Sequence, residues 1–200
     1  TIIDPFAGGS VRGIVAGVLG RKYTGVELRK EQVESNRKQA EEIKTVERPT
    51  WVCGDSLNMK KLVADSDFDF LLSCPPYGDL EVYSDLPNDL STMPSAKFDD
   101  MYAKIIALAC EKLADNRFAC FVVGDYRDGK GNYSNFVAKT IAAFIGAGLS
   151  YYNEAILVTP VGAAAFRAPT TFSAGRKLVK IHQNVLVFLK GDAKKATAAC

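Results

Sequence analysis

Histidine is almost missing from these 200 residues, His182 being the one example. A His/Cys zinc site needs paired ligands at short spacing, and the five cysteines (Cys53, Cys74, Cys110, Cys120 and Cys200) supply no such pair. Their odd number also argues against a disulfide scaffold. No apolar run approaches the roughly 20 residues of a membrane helix, and the N-terminus lacks the basic-then-apolar layout of a signal peptide. A charge excess is lacking too: 25 Lys+Arg against 23 Asp+Glu leave +2, so only the distribution of charge can point to a polyanionic partner. Neither an internal repeat nor a linker divides the chain. With 48% hydrophobic and 24% charged residues there is enough apolar surface for a core, and one soluble, cytoplasmic domain over residues 1–192 is expected, with 193–200 as a frayed, disordered tail. The chain starts at Thr1, without Met, directly in a strand-like run, which points to further residues upstream.

What is present is alternation. Apolar, β-branched runs trade places with segments of helical period, the pattern of a parallel α/β sheet. Strands are expected at 1–6, 23–28, 50–53, 68–73, 118–124, near 155–159 and near 185–189. Helices are expected at about 10–19, 30–46, 95–113 and 135–145. The second helix shows only Val33, Ala40, Ile43 and Val46 as an apolar stripe and is closed by Pro49. Residues 79–94, rich in Asp, Pro, Asn and Ser, read as a long loop.

In an open parallel sheet, ligands collect at the carboxyl ends of the strands. The first strand runs into Asp4-Pro5-Phe6-Ala7-Gly8-Gly9-Ser10, where two glycines allow close backbone approach and a helix start offers N–H groups. No Lys-Ser/Thr follows the glycines, and their spacing is not that of a dinucleotide fingerprint. Asp4 would repel a phosphate but suits an ammonium group. Glu27, at the second strand end, is placed to accept the two hydroxyls of a ribose, and Asp55, after the third, to accept an adenine amine proton. Taken singly, each carboxylate is equally well a solvated loop charge or a helix cap. In series they suit a cationic nucleoside without phosphates, a description that S-adenosylmethionine meets.

The fourth strand ends in Ser73-Cys74-Pro75-Pro76-Tyr77. Two prolines stiffen the turn and remove two N–H donors, leaving carbonyl oxygens to accept from an exocyclic amine while Tyr77 stacks on a base.

With these residues in place, the chain resembles the class I S-adenosylmethionine-dependent methyltransferases, and among them the DNA enzymes that methylate adenine N6 or cytosine N4. Asp4-Pro5-Phe6-Ala7-Gly8 resembles their DPFxG cofactor motif, implying backbone contacts to the methionine moiety and a place for Asp4 near its amino group. Tyr23 to Leu28 is similar to the second motif, with Glu27 on the ribose, and Gly54-Asp55 to the third, beside adenine. Cys74-Pro75-Pro76-Tyr77 stands where the family carries Asp, Asn or Ser before Pro-Pro-aromatic, and the segment 180–191 resembles the closing strand. The resemblance implies a Rossmann-like, doubly wound, mostly parallel seven-stranded sheet with a C-terminal antiparallel hairpin.

Cys74 departs from the family pattern. A thiol is a weak acceptor, and the exchange costs about 1 to 3 kcal/mol, or about 5- to 150-fold in rate, leaving the Pro75 carbonyl to carry more of the hydrogen bonding. It also opens two alternatives: a pyrimidine-C5 methyltransferase with Cys74 as covalent nucleophile, and a catalytically silent subunit that only binds the cofactor.

A base inside a duplex has to be flipped out or presented single-stranded. Two segments are placed to hold a DNA target. The loop 78–85 brings Tyr83 as a second aromatic face. The stretch 160–180 carries Arg167, Arg176, Lys177 and Lys180 without acidic neighbours, suiting phosphate contacts. RNA or protein substrates fit a similar turn, and it is the basic 160–180 stretch that tilts the reading mildly toward nucleic acid. No segment of target-recognition-domain size is present, which leaves sequence preference to these loops, to residues upstream of Thr1 or to a partner chain.

Overall fold

The computed structural model describes residues 1–64, 67–78 and 80–199. Seven strands, β1 (Ile2–Asp4), β2 (Tyr23–Glu27), β3 (Thr50–Cys53), β4 (Phe68–Ser73), β5 (Leu113–Val123), β6 (Ser150–Val158) and β7 (His182–Lys190), form one sheet in the order 3-2-1-4-5-7-6. The first five run parallel, and β7 lies antiparallel between β5 and β6. The expected Rossmann-like, doubly wound, mostly parallel sheet with antiparallel C-terminal strands is therefore the observed one. Chain order reverses between β1 and β4, so the crevice for a ligand opens beyond Asp4 and Ser73.

Helices α1 (Val11–Val18), α2 (Lys30–Glu42), α3 (Met59–Leu62), α4 (Ser95–Lys112), α5 (Phe136–Gly146), α6 (Ala164–Gly175) and α7 (Ala193–Ala198) connect or follow the strands. In β4, Phe68, Leu71 and Ser73 are buried, while Asp69 is exposed and ion-paired with Arg117, so the strand is less evenly covered than its mostly apolar sequence leads one to expect. One core packs Ile3, Leu71, Ile106, Phe121, Phe144 and Phe188, and a second packs Ile14, Tyr23, Val33 and Trp51 between α1, α2 and β3.

Several sequence expectations need correction. Helix α2 ends at Glu42, and Ile43 and Val46 are exposed rather than extending its stripe. The amides of Val46 and Glu47 both donate to the Gly17 carbonyl, drawing the chain across α1. A Cβ at Gly17 would collide with the Glu47 carbonyl, so a glycine is what lets the two segments touch. Strand β6 begins five residues before the expected run, and the 160–180 stretch contains α6. Nearly all of α6 is exposed and it carries Pro169, so it lacks the apolar stripe by which a helix is read. The tail expected to be disordered from 193 is helical over Ala193–Ala198, capped by the Asp192 carboxylate on the Lys195 amide and anchored by buried Ala196. Cys200 lies outside the described residues.

Candidate active site

The crevice is a cavity of about 480 Å³, a volume usual for small-molecule sites. Its wall is built from the turn after β1, the ends of β2 and β3, and the corner after β4. Pro5, Phe6, Gly8, Glu27, Asp55, Cys74, Pro75, Pro76 and Tyr77 all line it, and so does Tyr83 from the 80–94 loop. Topology alone brings these together, since residues 4, 27, 55 and 74 become neighbours only once the parallel strands are aligned.

The glycine turn is held from both sides. The Gly8 amide donates to Glu27 Oε2 at 2.9 Å, and the Gly8 carbonyl accepts from Asn36 Nδ2 at 2.8 Å. Asn36, fully buried on α2, is itself fixed by Gln32. Gly8 has φ 54°, a conformation natural to glycine. Gly9 lines the cavity, yet a Cβ there would meet nothing within 4 Å, so the turn leaves room against its backbone. Glu27 also accepts from the Arg29 amide at 2.9 Å. Each carboxylate oxygen retains a lone pair for a ribose hydroxyl. Asp55 accepts from the Leu57 amide through one oxygen and from Asn88 Nδ2, at 3.0 Å, through the other. Asn88 thus ties the 80–94 loop to the site, and Arg29 ties it again by donating to the Tyr83 carbonyl at 3.4 Å. Asp79, where the expected 79–94 loop begins, lies outside the described residues.

Asp4 is placed otherwise than expected. It is 0% exposed and does not line the cavity. Its Oδ1 accepts from the Phe6 amide (3.0 Å) and Ser73 Oγ (2.5 Å), its Oδ2 from Arg12 Nε (2.7 Å) and Tyr23 Oη (2.8 Å). With four donors already in place, it has no route to an incoming ammonium group. It is a girder that joins β1, β2, β4 and α1, and Arg12 takes its place at the cavity wall.

The Pro-Pro corner is likewise fixed. Tyr77 accepts a hydrogen bond from Gln183 Nε2 at 2.8 Å, lies parallel to the Tyr126 ring (centroids 6.4 Å) and meets Phe136 edge-on at 5.5 Å. Gly78 follows with φ 57°, and a Cβ on it would strike the Tyr126 hydroxyl. Burial raises the pKa of the Cys74 thiol above its ordinary value, with nearby Arg12 pulling the other way. The Tyr83 phenol, bonded to Glu81, is pushed up to about 12, chiefly by burial.

Arg167, Arg176 and Lys177 are not brought to the cavity. Arg167 is exposed on α6; Arg176 follows it in a left-handed conformation with its guanidinium 5.2 Å from the Phe172 ring; Lys177 lies across Gly131. The link to the site is β7 itself: three residues beyond Lys180, whose ammonium approaches Gly124, stands the cavity residue Gln183. Arg12, Asn36, Asn88 and Gln183 went unread in the sequence. Only Arg12, in the helix turn next to the glycines, had a position that marks it out.

No protein-family profile and no curated protein matches the chain. Solved structures do. The chain is similar to a SAM-dependent methyltransferase from Methanosarcina mazei (TM-score 0.62, 13% identity, 95% of this chain and 92% of that one). It is also similar to magnesium protoporphyrin IX methyltransferase from Synechocystis PCC 6803 with bound SAM (0.57, 12%, 95% and 69%). A third likeness is to a provisionally assigned DNA modification methylase from Thermus thermophilus (0.50, 15%, 70% and 51%). At such identities the shared property is the fold.

Proposed function

We propose that this protein is an S-adenosylmethionine-dependent methyltransferase acting on an exocyclic amine of a DNA base, adenine N6 or cytosine N4. The observation that carries the reading is that one cavity joins the glycine turn, Glu27 and Asp55 to the Cys74-Pro75-Pro76-Tyr77 corner. A nucleoside site and an amine-gripping turn are side by side. The fold shared with methyltransferases, two of them acting on unlike substrates by name, supports the cofactor more than the target.

The residues fit the cofactor. Glu27 would take the ribose hydroxyls, Asp55 the adenine amine, and the open space at Gly9 would admit the methionine chain that leaves the far side of the ribose. Once bound, S-adenosylmethionine supplies an electrophilic methyl group on a sulfonium. The protein's task is then positioning: carbonyl oxygens of the Pro-Pro corner accept from the target NH2 and orient its lone pair, and Tyr77, clamped by Gln183, offers its ring to the base. Cys74 serves as wall and weak acceptor. A thiol whose pKa is raised by burial is protonated at neutral pH, which disfavours the covalent pyrimidine-C5 alternative. Arg167, Arg176 and Lys177, outside the cavity lining, would meet phosphates further along the substrate.

The decisive experiment is incubation with methyl-labelled cofactor and mixed DNA, RNA and protein, then mass spectrometry of nucleosides and peptides. Label in N6-methyladenine or N4-methylcytosine is the expected result. Label in 5-methylcytosine, in RNA or in protein, or binding without transfer, overturns the assignment.

A further inference from the structure

Asp4 predicts an ammonium partner at the first turn, but the charged side chain that the structure presents to the cavity there is a cation, Arg12. Arg12 borders the cavity with its side chain 27% exposed, while Asp4 behind it is wholly enclosed. A guanidinium has five N–H donors. Nε gives one to Asp4, and Nη2 gives two, to the Phe6 carbonyl at 2.5 Å and the Ala7 carbonyl at 2.9 Å. These three bonds leave part of the guanidinium edge, at the cavity wall, for a ligand.

We propose that Arg12 is the anchor for the carboxylate at the amino-acid end of the cofactor. The assignment rests on reading the cavity as an S-adenosylmethionine site. Three observations carry it. The donor is pre-aimed, because two backbone carbonyls and a buried carboxylate fix the guanidinium plane, so little side-chain freedom is lost on binding. It is also in the right place, beside Phe6 and Ala7 of the glycine turn and near Cys74, where the nucleoside's tail would meet the Pro-Pro corner. Finally, its charge is largely balanced by Asp4, so it favours a short-range, hydrogen-bonded monoanion over a phosphate, which Glu27, Asp55 and Glu81 in the same wall would repel. The two adjoining carbonyls, each with a lone pair left, are then the acceptors for the neighbouring ammonium.

The test is calorimetric titration with two ligands that differ in one group: S-adenosylhomocysteine and its decarboxylated analogue, which keeps the amine. Wild-type protein should prefer the carboxylate-bearing ligand by about 10- to 100-fold. Since removing Arg12 alone would strand Asp4, the comparison variant is Asp4→Asn with Arg12→Met, checked for folding by circular dichroism; there the preference should shrink to within about threefold. Equal binding of both ligands by the wild type, or an undiminished preference in the folded double variant, overturns the assignment while leaving the cofactor reading intact. Should the variant not fold, the wild-type ratio decides by itself. Binding of neither ligand overturns the cofactor reading and the assignment with it.

Discussion

The turn after β1 and the α6 region both carry arginine and both sit on the ligand side of the sheet, but their charges are held differently. Around Asp4, four donors converge on one buried carboxylate, and Gly8 is bonded through both its amide and its carbonyl. Around α6, Arg167 projects into solvent, Arg176 rests on a single ring, and Phe166 is 86% exposed. Strand β6 beside it is exposed along all nine residues. The first region is pre-organised, which suits a small ligand whose affinity depends on fixed donors and acceptors. The second is adaptable, which suits a polyanion whose phosphates lie at no single spacing.

Breaking the first region should have the largest consequence. Asp4→Ala leaves the Arg12 guanidinium, the Tyr23 phenol and the Ser73 hydroxyl without their shared acceptor; a loss of roughly 3 to 5 kcal/mol is expected in urea unfolding. Next comes Gly78→Ala, where a left-handed backbone and the Tyr126 hydroxyl both oppose a side chain. A drop of about 1 to 3 kcal/mol in stability should accompany displacement of Tyr77, read as lost methyl transfer. Glu27→Gln keeps an acceptor for the Gly8 amide but discards the charge, and should weaken S-adenosylhomocysteine binding by about tenfold in calorimetry.

Cys74 sharpens the comparison through pH. Its acid form is favoured by burial, so the thiolate appears only as pH rises past the elevated pKa. Alkylation of Cys74 by iodoacetamide, followed by peptide mass spectrometry, should accelerate at higher pH than for free cysteine, whose pKa is about 8.5. Cys74→Ser should retain amine methylation, and complete loss of turnover in a folded protein would favour the nucleophile instead. The smallest effect on stability belongs to α6: Arg176→Ala with Lys177→Ala should change it by no more than about 0.5 kcal/mol. The same pair should lower the slope of log affinity for DNA against log salt by about two. An unchanged slope removes these residues from the proposed DNA surface.

Legibility in the sequence followed the strength of local pattern. Strands β3 and β4 appear at the expected residues because apolar runs bounded by Gly, Pro or Asp are local signals. The end of α2 was not legible, since it depends on Gly17 accepting a distant segment, and neither α6 nor α7 has an apolar stripe long enough to announce a helix.

By itself, the sequence determined the alternation of strand and helix, the chain order of the acids and the stiffness of the Pro-Pro corner, because these follow from residue type and neighbours along the chain. Only the tertiary structure decided which acid faces the ligand. Asp4 and Glu27 look alike as carboxylates ending interior strands, but Asp4 is enclosed by side-chain donors from Tyr23 on β2, Ser73 on β4 and Arg12 on α1, while Glu27 accepts from the backbone amides of Gly8 and Arg29 and remains at the cavity wall. Burial is set by the side chains that converge on a strand end, and so the place at the cavity wall expected of Asp4 is held by the arginine that neutralises it.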